Sequence, residues 1–169
     1  MNSVPLVGLR WALKRSFLDY IERAPGGRGA LSDGAVATEF KEIVFAPDTL
    51  SPPASPGHGL LLAFRGTVTF SAHAGLLLVP IANPWVLIAE GQGELNVHDP
   101  FQREGVARLK LATFDIDDHV VADGFEHWAA TNVRLAPEGC PLFNNVYPAS
   151  ELLEPLTIII PAVDARAGA

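Results

Sequence analysis

Between Trp11 and Ile21 the apolar residues Leu13, Phe17 and Ile21 recur at every fourth position, which on a helix lines one stripe and turns it toward a core. Ser16 and Tyr20 are also four apart, so a hydroxyl and a phenol stack one turn over the other at the edge of that stripe. Lys14, Arg15, Asp19 and Glu22 fill the solvated face, with Arg15 and Asp19 spaced as an ion pair. The helix is predicted to end before Pro25-Gly26-Gly27.

The second informative stretch, Phe64 to Gly75, changes to a period of two. Phe64, Val68, Phe70 and Ala72 fall on one face of a strand, and Arg65, Thr67, Thr69, Ser71 and His73 on the other. His73 is therefore placed off the core face, exposed or in a pocket that another element closes.

The remaining pattern predicts short strands separated by turns. Pro5 to Arg10 leads straight into the helix, Leu31 to Gly34 turns, and Glu39 to Ala46 alternates through Phe40, Ile43 and Phe45. Pro47 to Gly59 is a proline-rich loop, with His58 between glycines as a surface residue. Leu60 to Ala74 reads as one long strand. The unbroken apolar run from Leu76 to Ile81 suits a strand buried on both faces or facing an apolar ligand. Strands follow at Trp85–Ile88, Glu94–His98, Val106–Asp115, Glu126–Leu135 and Leu156–Ile160, and Asp115 to His119 is read as a solvated turn. In the Glu126–Leu135 strand, Trp128, Ala130 and Asn132 alternate against His127, Ala129, Thr131, Val133 and Leu135. The fold class is mainly β with an N-terminal helix: an antiparallel sandwich or open barrel with the helix packed on it. Residues 1–169 read as a single domain, with 161–169 a loose tail.

Composition narrows the chemistry. At 169 residues and 49% hydrophobic content the chain can bury a core without staples. Its net charge of −7, with no Lys/Arg cluster, argues against nucleic acid. A single cysteine, Cys140, excludes an intramolecular disulfide and a cysteine-rich zinc site, and it has no basic neighbour in sequence to activate it. The only methionine is the first residue, and there is no C-x-x-C-H. Any iron ligand must come from two tyrosines, five histidines and the cysteine. His98 beside Asp99, and His119 after three acidic residues, lack the spacing of a metal site; His127 reads as an ordinary strand residue. No basic leader and no membrane-length apolar run is present, so the chain as written is expected in the cytoplasm, or secreted or at the cell surface if a signal was removed.

The pattern Trp11-x-x-Lys14-x-Ser16-Phe17-x-x-Tyr20, then Phe64-x-Gly66-x-Val68-x-Phe70-x-x-His73-x-Gly75, Asn83-Pro84 and Tyr147-Pro148-Ala149, resembles the HtaA-type haem-binding domain of bacterial haem uptake. Ala72 and Ala74 depart from the glycines expected beside the histidine. The resemblance implies ferric haem b, protoporphyrin IX, as a non-covalent ligand. It implies Tyr20 as axial ligand, His73 as its hydrogen-bond partner, Ser16 near the propionates, and Tyr147 lining or supporting the site. A phenolate is a hard donor suited to Fe(III), and an imidazole hydrogen bond favours the anion. Haem donor or acceptor proteins would be the partners, for uptake, transfer or intracellular buffering, and a homo-oligomer is left open. Two other readings remain: a haem-dependent enzyme of peroxidase-like or haem-processing type, and a cofactor-free β-sandwich that carries another apolar ligand or binds a protein.

Overall fold

The computed structural model describes residues 6–55, 57, 59–102 and 107–162; His58, Val106 and the tail from 163 onward lie outside them. In chain order the elements are β1 (Gly8–Trp11), α1 (Arg15–Arg23), β2 (Arg28–Ser32), β3 (Ala35–Ala37), β4 (Ile43–Pro47), β5 (Leu60–Arg65) and β6 (Thr67–Ala72). There follow β7 (Leu77–Ala82), β8 (Trp85–Ala89), β9 (Gln92–His98), β10 (Arg108–Ala122), β11 (Phe125–Leu135) and β12 (Leu156–Pro161). Two 3-10 segments, His73–Gly75 and Pro137–Phe143, follow β6 and β11.

The large sheet runs β1-β12-β11-β10-β9-β8-β5-β4, and β1 also pairs with β4, so the sheet closes into an eight-stranded antiparallel barrel with β3 as an extra strand on β4. The expected sandwich or open barrel is thus replaced by a closed one, because four-residue β1 bonds on both edges, to β12 and to β4. Leu9, Trp11, Phe45, Ile158, Leu156 and Trp128 are buried at facing register positions and build the interior. On β9, Gly93 lies under the ring of Phe114; a Cβ there would come within 2.0 Å of the ring. A smaller sheet, β2-β6-β7, covers α1, whose Phe17, Leu18 and Ile21 are buried, with Phe17 edge-on to Phe70 at 5.3 Å between ring centres.

Several boundaries move, each for a local reason. The predicted helix starts four residues late: Trp11 belongs to β1, and Leu13, at φ 57, breaks the chain between strand and helix while remaining fully buried. Arg15 donates to the Phe40 carbonyl, tying α1 to the loop before β4. Phe40 itself is 66% exposed and lies outside the strand expected around it. The long strand read from Leu60 to Ala74 is two strands in two sheets. The break is Gly66, at φ 131, where a Cβ would meet the Ala35 backbone nitrogen at 2.6 Å.

The Leu76–Ile81 run alternates rather than burying both faces, since Val79 and Ile81 are buried while Leu76 is 85% exposed. Asp115 to His119 is not a turn but the middle of β10. On β11 the alternation changes phase at Asn132, φ 51. Opposite it on β10 the ladder register shifts between Thr113 and Asp115, and Val133 and Leu135 become buried with Trp128 and Ala130.

Candidate functional site

The site is assembled around α1. Lys14, in extended backbone, caps the helix, and Phe17 and Leu18 N–H groups donate to its carbonyl. At the other end Ala24 N–H donates to Tyr20, and the chain folds back through Pro25-Gly26-Gly27; a Cβ at Gly27 would lie 1.7 Å from the Ile21 carbonyl oxygen. Only glycine allows that return. The Pro25 carbonyl then accepts from His73 N–H at 2.9 Å, so the helix end holds the turn between β6 and β7.

That turn is unusual. His73, Ala74 and Gly75 all have positive φ, 55, 56 and 89, a conformation that disfavours residues with a Cβ. His73 is therefore not on the strand, as its alternation suggested, but one residue past it. Leaving the extended conformation swings the imidazole toward α1. Its Nε2 lies 2.6 Å from the Tyr20 phenol oxygen. A protonated Nε2 donates to a phenolate, and an unprotonated one accepts from the phenol.

Ser16, Phe17 and Tyr20 of α1, Leu77 of β7, and Phe143, Val146 and Tyr147 line a cleft of about 330 Å³. Phe17 meets Phe143 edge-on at 5.4 Å, and Phe143 meets Tyr147 edge-on at 5.7 Å, so an aromatic chain leads from the core to the cleft wall. Tyr20 is 44% exposed at the mouth. Burial first, then the negative charge of Glu151 and the neighbouring Tyr20, push the Tyr147 phenol above its ordinary value, which keeps it a neutral hydrogen-bond donor. The Lys14 ammonium lies 5.5 Å from the Tyr147 ring centre.

The structure brings Ser16, Tyr20 and Tyr147 to one cleft and hydrogen-bonds His73 to Tyr20. Sequence reasoning did not single out Phe143 or Val146; the signal was their place in the Phe143–Pro148 run, which carries no periodicity. His119 stacks on Trp128 at 4.3 Å and lies 3.4 Å from Glu126, on the long β10–β11 hairpin. Cys140 is half-buried and its thiol donates to the Ala136 carbonyl. Among the described residues no group of three or more His, Cys, Asp or Glu side chains is placed to hold a metal ion, and no helix is long and apolar enough to cross a membrane.

The HtaA family model, described as Htaa, matches residues 7–159. Among solved structures, the N-terminal domain of HtaA from Corynebacterium glutamicum superposes with a TM-score of 0.71 at 20% identity, covering 91% of this chain and 96% of that one. The C-terminal domain of the same protein gives 0.69 at 21% identity, over 89% and 94%. The haem-binding protein HtaB from the same organism gives 0.64 at 20% identity, over 90% and 91%. Curated proteins yield no match. At this identity the structural likeness speaks for the fold.

Proposed function

The chain belongs to the HtaA family, and from that premise we propose that it binds ferric haem non-covalently in the α1 cleft, with the Tyr20 phenolate as axial ligand. The observation that carries the reading is the 2.6 Å contact between the Tyr20 phenol oxygen and His73 Nε2 at the mouth of an aromatic cleft. That HtaB, a protein of the same fold, is a haem-binding protein supports it.

The residues present suit such a cargo. Phe17, Leu77, Phe143 and Val146 offer apolar and aromatic surface to a flat macrocycle. Ser16 stands in the first turn of α1, where the helix dipole favours a carboxylate, and the neutral Tyr147 phenol is a second donor. Ferric iron supplies a hard Lewis-acid centre for an oxygen ligand. A free phenol ionises only near pH 10, so a donor that stabilises the anion has a purpose at neutral pH. His73 is placed to be that donor when its Nε2 carries the proton: Nε2 lies 2.6 Å from the Tyr20 oxygen, and the Pro25 carbonyl fixes the backbone that presents it. Protonating the phenolate, or reducing the iron, removes the reason for the bond and releases the cargo. Haem transfer or buffering therefore suits the site better than turnover.

Titration with haemin tests the proposal. The wild type is expected to give a saturable ferric-tyrosinate absorption spectrum, Tyr20→Phe to lose it, and His73→Ala to retain binding with a shifted spectrum and faster release at mildly acidic pH. Binding that survives Tyr20→Phe with an unchanged spectrum would reject Tyr20 as the ligand.

A further inference from the structure

Two residues of the sequence pattern around α1, Trp11 and Lys14, do not line the cleft. Both stand where the start of α1 meets the segment that follows Tyr147. Trp11 Nε1 donates to the Glu154 carbonyl at 2.8 Å, and Glu154 N–H donates to the Leu13 carbonyl at 2.7 Å. The Glu154 carboxylate accepts from the Arg15 N–H at 3.2 Å. The Lys14 ammonium lies 3.3 Å from Glu151 Oε1, donates to the Leu152 carbonyl, and faces the Tyr147 ring.

We infer that Lys14 is a positioning residue for the cleft: its ammonium pins the Tyr147 ring beside α1 and so sets how long the cargo is retained. The inference rests on the haem reading of the cleft and adds to it a residue that does not line it. The wall it holds is a run of turns, tied by backbone bonds from the Asn144, Asn145 and Val146 N–H groups to the Pro141, Cys140 and Phe143 carbonyls and from Ser150 N–H to the Leu135 carbonyl, and nothing in those bonds fixes the Tyr147 ring. Asn144, Asn145 and Ser150, on either side of Tyr147, all have positive φ, and Val146 is exposed. The Tyr147 ring meets Phe143 edge-on and the Lys14 cation.

Lys14 is itself well held. Its side chain is only 21% exposed, so the cation is partly desolvated and its attraction to the ring exceeds that of a surface pair. Glu151 and the Leu152 carbonyl satisfy the ammonium while Trp11 anchors the same segment at Glu154, two residues further on. A simple surface ion pair with Glu151 would contribute little. What distinguishes the arrangement is that the cation joins three groups: the helix start, Glu151-Leu152 and the ring.

The test uses haemin-loaded protein and the rate of haemin loss to excess apomyoglobin. Lys14→Met is expected to release haemin about tenfold faster, and Lys14→Arg within about twofold of wild type, both with an unshifted Soret band. In a Tyr147→Leu background Lys14→Met should bring no further acceleration, because the cation acts through the ring. An unchanged rate in Lys14→Met, or an equal acceleration on top of Tyr147→Leu, overturns the inference. Amide exchange of the haem-free protein gives a second reading: Lys14→Met should raise exchange in residues 144–150 and leave β8 to β12 as they were. Unchanged exchange there also overturns it. A wild type that takes up no haemin, with 144–150 still responding to Lys14→Met, rejects the haem reading and leaves Lys14 as the clasp of that wall.

Discussion

At the scale of single residues, the site depends on backbone conformations that side chains resist. Ala74 sits at φ 56 between His73 and Gly75, in a region that costs a residue with a Cβ about 1 kcal/mol. Ala74→Gly is therefore expected to raise stability by about 0.5–1 kcal/mol, read as a higher urea midpoint at constant m-value. Tyr147 gives a pH prediction. Its phenol is pushed above the ordinary value by burial, Glu151 and Tyr20. The folded state therefore holds that proton more tightly than the unfolded chain. Its contribution is complete below the unfolded pKa of about 10 and is lost as pH rises through the higher folded value. Stability should fall at strongly alkaline pH, and Tyr147→Phe should flatten that part of the profile. The four-residue step from Ser16 to Tyr20 by itself places these two side chains in one volume. The partnership of Tyr20 with His73 had no periodic signature and came from family resemblance, since it joins residues 53 apart through a left-handed turn.

At the scale of elements, α1 and the break at Gly66 decide where the cleft lies. Phe17 is buried, touches Phe70 and Phe143 edge-on, and lines the cleft. Phe17→Ala should cost about 3–5 kcal/mol by chemical denaturation, more than any substitution of the exposed helix face. Gly66→Ala forces a Cβ against the Ala35 backbone at a φ of 131, and a loss of about 2–3 kcal/mol is expected, again by urea midpoint. The helix, most strands and the turns at Pro25–Gly27 and Asn83-Pro84 were readable from periodicity and breakers. β2 was not, because all five of its residues are exposed and it pairs only at one edge of the small sheet. The split of Leu60–Ala74 was hidden for the opposite reason. Val68, Phe70 and Ala72 continue the parity of Phe64, so the alternation runs unbroken across a glycine that sends the chain into another sheet.

At the scale of the whole molecule, the barrel, the small sheet and α1 share one set of buried residues. Unfolding should be a single transition, with far-UV circular dichroism and tryptophan fluorescence coincident, because Trp11 and Trp128 report the barrel while Trp11 also anchors the segment after the cleft. Net charge acts at this scale too. A chain of charge −7 repels an anionic cargo at a distance, so haemin association should speed up by about two- to threefold between low and physiological salt.

The sequence by itself determined the β-rich class, the amphipathic helix, the phenol and hydroxyl on one edge of it, and, through its single cysteine, that no intramolecular disulfide can form. Each of these is local, set by spacing within a few residues or by which residue types exist at all. Barrel closure, the departure of β6 to a second sheet, the swing of His73 onto Tyr20 and the joining of Lys14 to Tyr147 were decided only in three dimensions. They depend on which strand edges find each other and on left-handed turns at His73, Ala74 and Asn132. Periodicity records which face a side chain takes along its own element, and it carries no information about the direction in which the next element leaves.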